Sequence, residues 1–395
     1  MKCLFVHDFR SFKKSGNIYT TNLSYEILNE RYVNVFGELN ILNRSGKMGS
    51  LQSEKGLVKA SGKSINFIDQ IGIFTPISFF KGYFKIRKVV NRYVSESEYI
   101  IIRLDSFLGL IAAEYCRKYD KKYLIEVVGC VWDSFWNKGI YGKIVALPLF
   151  KRMQFEVKKA PYVVYVTSEF LQNRYPTEGQ NTNISNVQIK HLEDSVIEKR
   201  VEKIQKFDCE HIYEIVTIAS VEVRYKGQET VIRALMELKK RGYKNFRYHL
   251  IGGGNNSYLK NLASELGVID QVVFHGSMNH DMVMNFLDDC DIYIQPSKQE
   301  GLPRSLIEGM SRGLICYGTC VAGIPELLET KMLFSIKKDN YIELANKMLL
   351  IDKELYEQQA RRNFKEAKKY EESILEKRRK EFFEIFREQK LLLEK

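Results

Sequence analysis

Residues 291–314, DIYIQPSKQEGLPRSLIEGMSRGL, decide the fold class. DIYIQPS is a β-branched and aromatic run of strand length, closed by Pro296 and a polar turn. Pro303 then opens a segment with helical periodicity, at a position where proline suits the first turn. This order of strand, turn and helix has a chemical use. Glu300 lies just past the strand's carboxyl end, and the backbone N–H groups of Gly301, Leu302, Arg304 and Ser305 point out of a helix N-terminus, whose partial positive charge attracts phosphate or sugar hydroxyls. Glu308 stands eight positions after Glu300, a little over two helical turns, and so falls on roughly the same face. One carboxylate can address a sugar and the other a ribose. Taken alone, the spacing fits equally a helix with two surface glutamates.

The same alternation extends outward in both directions. Strands are expected at 213–220, 246–253, 271–276 and 314–318, with helices at 228–241, 256–266, 279–289 and 303–312. The first half opens with the strand KCLFVHDF and a glycine-containing loop before an amphipathic helix, and continues with strands near 97–104, 121–129 and 160–168. Strands alternating with helices imply mostly parallel sheets, so an α/β chain of two Rossmann-like domains is expected. The pattern weakens between 176 and 210, which puts a boundary near 190. The expected division is 1–190, 191–360 and a basic helical segment 361–395 whose Phe364, Ile374, Phe382, Phe383, Ile385 and Phe386 form a stripe for packing or for a partner.

At 395 residues, with 45% hydrophobic and 28% charged residues and only 7 prolines, the chain excludes disulfide scaffolds, fibrous repeats and disorder. Seven cysteines without CxxC spacing favour a reducing compartment. MKCLFVHDFR is too short an apolar start for a signal peptide, and no apolar run approaches a membrane span, so the expected location is the cytoplasm. The net charge of +12 is one-sided: residues 1–190 carry 28 Lys and Arg against 16 Asp and Glu, and the remainder balances. Such a field suits membrane headgroups, a lipid-linked phosphate or nucleic acid.

From Ile218 to Leu328 the order of motifs ASVEVRYKGQETVIRAL, HLIGGG, VVFHGSM, CDIYIQPSKQEGLPRSLIEGM and VAGIPELLE resembles the donor-binding domain of GT-B-fold retaining glycosyltransferases of family 4. In the first half VVGCVWDSFWNKG and VYVTSEFL are similar to transferases that build capsular or other surface polysaccharides. The resemblance implies two Rossmann-like domains facing a central cleft, and a sugar moved with retention from a nucleoside-diphosphate sugar, UDP-linked by preference, to a hydroxyl of a polyprenyl-diphosphate-linked glycan. Glu300 then contacts hydroxyls of the transferred sugar, Glu308 the ribose, and the backbone from Gly301 through Leu302, Pro303 and Arg304 to Ser305 the sugar and diphosphate. Lys226 neutralises the leaving group. The family's arginine six residues before that lysine is Ser220 here, and Arg224 is the nearest replacement. Breaking a glycosyl phosphate bond develops negative charge on the departing diphosphate, so fixed cations aimed there lower the barrier. An extended strand would aim Arg224 and Lys226 to one side.

The loop at Gly16 resembles the family's glycine loop opposite the diphosphate. The family often carries a histidine between Val128 and Trp132; none is present, and Asp133 beside Trp132 is either an acceptor-side carboxylate or a helix N-cap. No metal or cofactor is expected. Asp289 and Asp291 form a DxD that joins a helix end to a strand, Gly252–Gly254 miss G-x-G-x-x-G spacing because position 257 is Ser, and His7, His249 and His275 sit on different strands. The stretches 78–88, with Lys81, Lys85, Arg87 and Lys88, and 147–159 interleave aromatics with cations. They fit either helices resting on the anionic inner membrane face or ordinary helices with basic outer faces. The donor motifs favour a lipid-linked sugar over nucleic acid. The competing readings are a UDP-sugar epimerase of the same fold and a non-enzymatic basic protein that binds membranes or nucleic acid.

Overall fold

The computed structural model describes residues 2–21, 23–46, 57–68, 72, 76–136 and 139–393. The chain forms two compact bodies, Met1–Ile184 with Glu376–Lys395, and Ser185–Leu375. The break thus falls six residues before the expected one, and the expected segment 361–395 is divided between the bodies.

In the first body the strands Lys2–Lys14, Tyr99–Leu104, Tyr123–Val127, Tyr162–Tyr165 and Gln180–Asn183 lie side by side in parallel, and Glu38–Gly46 pairs with the other edge of Lys2–Lys14. Tyr99–Leu104 is buried throughout, as a parallel strand covered on both faces must be. The first strand differs from expectation. It runs on into an antiparallel hairpin with Asn17–Thr20, where Lys14 pairs with Asn17. Only Ser15 and Gly16 intervene, with φ of 48° and 77°, the signs a two-residue primed turn requires. Gly16 is therefore the tip of a hairpin instead of a βα turn, because Ile18, Tyr19 and Thr20 after the turn are strand formers.

The helix Glu372–Leu393 brings Phe382, Phe383 and Phe386 onto this body. Phe383 packs against Tyr32 and Phe36, and Phe386 against Phe36, Tyr99 and Tyr162. Glu376 accepts from Arg31 at 2.9 Å and from Arg379 at 3.0 Å. Tyr32, on a π-turn at Asn29–Val33, donates to Glu126 at 2.9 Å, and Arg103 donates to the same carboxylate at 2.8 Å. Burial alone would raise the Glu126 carboxyl; Arg103 and Arg379 outweigh it and hold it below its usual range.

The second body holds a six-stranded parallel sheet in the order Val272–Gly276, Phe246–Ile251, Tyr213–Ile218, Ile292–Gln295, Ile315–Thr319, Leu333–Phe334. Parallel pairing sets the carboxyl ends of Tyr213–Ile218, Ile292–Gln295 and Ile315–Thr319 next to one another, so the loops after them converge. Among the described residues no helix is long and apolar enough to cross a membrane.

Phe383 is fully buried between rings. Phe383→Ala is expected to remove about 3–5 kcal/mol from the unfolding free energy, read by urea denaturation. A loss under about 1 kcal/mol would mean that the terminal helix is no part of this core.

Candidate active site

Tyr293, Gln295 and Ser297 alternate along one strand and its extension, so their side chains share a face. Helix Arg304–Ser311 packs on that face. It comes close because position 309 is glycine, where an added Cβ would stand 2.8 Å from the Tyr293 ring. The Tyr293 hydroxyl consequently bridges Ser305 Oγ at 2.8 Å and Gln295 Oε1 at 2.9 Å. Gln295 Nε2 donates to Ser297 Oγ at 2.8 Å and to Glu300 Oε1 at 2.9 Å, and Ser297 Oγ donates to the same Oε1 at 2.7 Å. Burial pushes the Tyr293 phenol well above its ordinary value, so it stays a neutral donor.

The third donor to Glu300 Oε1 is Lys226 Nζ, at 2.6 Å. Its loop is clamped against the strand end. Lys298 N donates to Tyr225 O at 2.7 Å, and Gly227, at φ +73°, lies so near Pro296 that a Cβ would meet its carbonyl oxygen at 2.0 Å. Only glycine combines that conformation with that approach. Side-chain exposure of 23% for Lys226 and 11% for Glu300 makes the ion pair largely enclosed.

Arg224 goes elsewhere. Residues Arg224–Lys226 form a 3₁₀ turn, not an extended strand. At three residues per turn, side chains two positions apart point about 120° away from each other. The Arg224 guanidinium lies over the Tyr258 ring and 4.0 Å from Glu229 Oε2. Ser220, six residues before Lys226, donates its hydroxyl to Gly253 O at 3.0 Å.

Glu300 lies four residues before the helix, which begins at Arg304. The expectation that Glu300 and Glu308 share a helical face therefore does not hold; a loop joins them. Gly301 O accepts from Gly323 N at 3.0 Å, and Leu302 and Pro303 are buried. Pro303 offers the helix no side-chain cap, and the first helical amide with a backbone acceptor is Ile307, to Pro303 O at 3.5 Å. The preceding amides of Arg304, Ser305 and Leu306 are those that a helix start presents to an anion. Arg304 itself is exposed. Glu308 Oε1 stands 3.7 Å from His280 Nε2.

Asp133 and Trp132 belong to the first body, as does Gly16. Asp133 pairs with Arg174 at 3.2 Å, and Trp132 stacks on Trp136 with ring centroids 4.8 Å apart. Of the two DxD carboxylates, Asp291 is fully buried against Lys203 at 2.8 Å and His211 at 3.0 Å, while Asp289 is exposed. His249 and His275 do meet, at 2.8 Å, with Glu214 at 2.6 Å from the far nitrogen of His249. Among the described residues no group of three or more His, Cys, Asp or Glu is arranged to hold a metal ion.

Sequence reasoning missed Tyr293, Gln295, Ser297 and His280. The period-2 run of polar atoms at 293, 295 and 297 in an otherwise apolar strand was a usable signal; the position of His280 was not.

The Glu308 carboxylate raises the His280 imidazole above its ordinary 6.5, against burial, which lowers it. A raised folded value means that this pair's stabilisation is complete below about pH 6.5 and is lost as pH rises through the folded pKa. An NMR titration of His280 is expected to show a midpoint above 6.5 that Glu308→Gln moves back down. An unmoved midpoint would contradict the pairing.

Residues 200–370 match the family model "Glycosyl transferases group 1". Protein CapJ of Staphylococcus aureus is 32% identical over 341 residues, 85% of this chain and 83% of that one. The N,N'-diacetylbacillosaminyl-diphospho-undecaprenol alpha-1,3-N-acetylgalactosaminyltransferase of Campylobacter jejuni is 22% identical over 77% of this chain and 80% of its own length. Solved GT-B glycosyltransferases align along nearly the whole chain. Anabaena HepE in complex with UDP does so with a TM-score of 0.64 at 16% identity, covering 96% of this chain and 98% of that one. With an enclosed Lys226–Glu300 pair beside an uncapped helix start, and with these likenesses, the chain belongs to the group 1 glycosyltransferases and has the GT-B fold.

Proposed function

We propose that the protein moves a sugar from UDP to a hydroxyl of a polyprenyl-diphosphate-linked glycan in surface polysaccharide synthesis, with retention of configuration, as family 4 enzymes do. The observation that carries this reading is the convergence of Lys226, Gln295 and Ser297 on one oxygen of Glu300. All three bonds land on Oε1, which leaves Oε2 to accept from hydroxyls of the donor sugar. The diphosphate sits at the amides of Arg304, Ser305 and Leu306, within reach of Lys226, and Glu308 takes the ribose. Gly301, Leu302 and Pro303 shape the turn against the sugar.

In the proposed reaction the acceptor oxygen bonds to the anomeric carbon on the side from which the diphosphate leaves. The carbon–oxygen bond to phosphate breaks with its electron pair going to the diphosphate, and the acceptor's proton passes to a phosphate oxygen. No covalent intermediate with the protein forms. Lys226 and the helix amides carry the charge stabilisation, and the reading includes no metal ion. UDP as carrier draws support from the fold shared with HepE, and a lipid-diphosphate acceptor from the Campylobacter relative's substrate. Activity at the inner membrane face, with peripheral contact to anionic lipid, belongs to the same reading. Trp132 and Asp133 are proposed on the acceptor side.

Incubation with a panel of UDP-sugars and a lipid-linked acceptor, with NMR of the product linkage, tests the proposal. Wild type is expected to give retained configuration with or without EDTA. Lys226→Ala and Glu300→Gln are each expected to lower turnover about 10²–10³-fold, and Arg224→Ala by no more than about threefold. Full activity in Lys226→Ala, an inverted product, or epimerisation without an acceptor would contradict it.

A further inference from the structure

The helix Gly139–Lys159 is apolar on two opposite sides. Ala146, Met153 and Val157 face inward and are fully buried. On the other side Ile140, Ile144, Leu147 and Phe155 are 69%, 67%, 51% and 48% exposed. At 100° per residue these four and Lys151 fall within an arc of about 80°, along about 22 Å of axis. Trp136, also exposed, continues the surface and carries Lys143 over its ring at 5.1 Å. The helix's one acid, Glu156, is off this arc, buried and paired with Arg117 at 2.8 Å. Exposure near or above one half at each position describes a convex ridge, not a groove.

Neighbouring elements repeat the character. Helix Pro76–Glu96 shares Glu114 with this one, through Arg87 and Arg152, and leaves Phe84 82% exposed beside Lys85. Of the stretch 78–88, Lys81 and the side chains before it lie outside those described. The first body as a whole has 34 Lys and Arg against 21 Asp and Glu, whereas the second has 27 against 28.

We propose that the outward ridge of Gly139–Lys159 docks the protein on an anionic lipid bilayer, with Ile140, Ile144, Leu147 and Phe155 entering the interface and Lys143 and Lys151 meeting headgroups. Aliphatic and aromatic side chains interleaved with lysines suit the boundary between acyl chains and phosphates. A second copy of this chain is a poor occupant, because a two-fold contact would oppose the ridge lysines to themselves without a carboxylate on the arc to pair them. The inference specifies the membrane contact named under the proposed function and rests on that reading only for the acceptor's being lipid-linked.

Co-sedimentation of the full chain with phosphatidylglycerol and phosphatidylcholine vesicles tests it, in parallel with transfer to a water-soluble acceptor glycan. Wild type is expected to bind the anionic vesicles and to bind neutral ones at least about tenfold more weakly. Ile144→Ser with Leu147→Ser is expected to lower the anionic partition about tenfold or more, as is Lys143→Glu with Lys151→Glu, with melting temperature and soluble transfer unchanged. Wild-type binding that is absent, indifferent to lipid charge or unaltered in both double variants would overturn the docking face while leaving the transferase reading intact. A concentration-dependent dimer abolished by Ile144→Ser with Leu147→Ser would overturn it in favour of self-association. Loss of soluble transfer in wild type would instead count against the transferase reading alone.

Discussion

A carboxylate whose side chain is 11% exposed cannot be left without donors, because desolvation of an unpaired charge costs several kcal/mol. Glu300 answers this constraint with an ammonium, an amide and a hydroxyl on one oxygen. Each donor is in turn held: Lys226 by the Gly227–Pro296 clamp, Gln295 by Tyr293, and Ser297 by its backbone, whose carbonyl accepts from Thr319 Oγ1 at 2.5 Å. Tyr293 reaches Ser305 only because Gly309 lets the helix come down on its ring. The loop after one strand, the turn after its neighbour and the start of a helix are thereby fixed in one arrangement before any ligand arrives. Preorganisation of this kind lets charges act on a reacting group without reorganising.

Much of the second body was legible because a parallel sheet flanked by helices forces near-continuous apolar runs. The strands at Tyr213–Ile218, Phe246–Ile251, Val272–Gly276, Ile292–Gln295 and Ile315–Thr319 stand within a few residues of their expected places. The two-residue strand Leu333–Phe334 has no periodicity to read. In the first body Glu38–Gly46 escaped notice because ELNILNRSG mixes polar residues into the run. A glycine announces a turn without stating its type, so residue type alone does not distinguish the hairpin at Ser15–Gly16 from a βα loop. Which body the last helix joins was closed to sequence, since Phe382, Phe383 and Phe386 show an apolar stripe but not its partner. The site divided in the same way. Glu300 followed from residue type and order and Lys226 from the motif resemblance, whereas the loop that carries Gly301 and Leu302 ahead of the helix, and the direction of Arg224 set by a single 3₁₀ turn, are encoded by no spacing rule.

The two bodies divide the physical labour unevenly. The second is nearly neutral and carries the Glu300 cluster at a strand's carboxyl end. The first holds the charge excess, a buried network around Glu126 and Glu376, and an apolar ridge that its own core does not use. The proposed donor and the proposed lipid surface thus fall on different bodies.

The most direct measurement is a crystal structure with UDP bound. The account predicts diphosphate oxygens within about 3 Å of Lys226 Nζ and of the first amides of helix Arg304–Ser311, with Glu308 at the ribose. A nucleotide seated elsewhere, with the Lys226–Glu300 pair untouched, would contradict it.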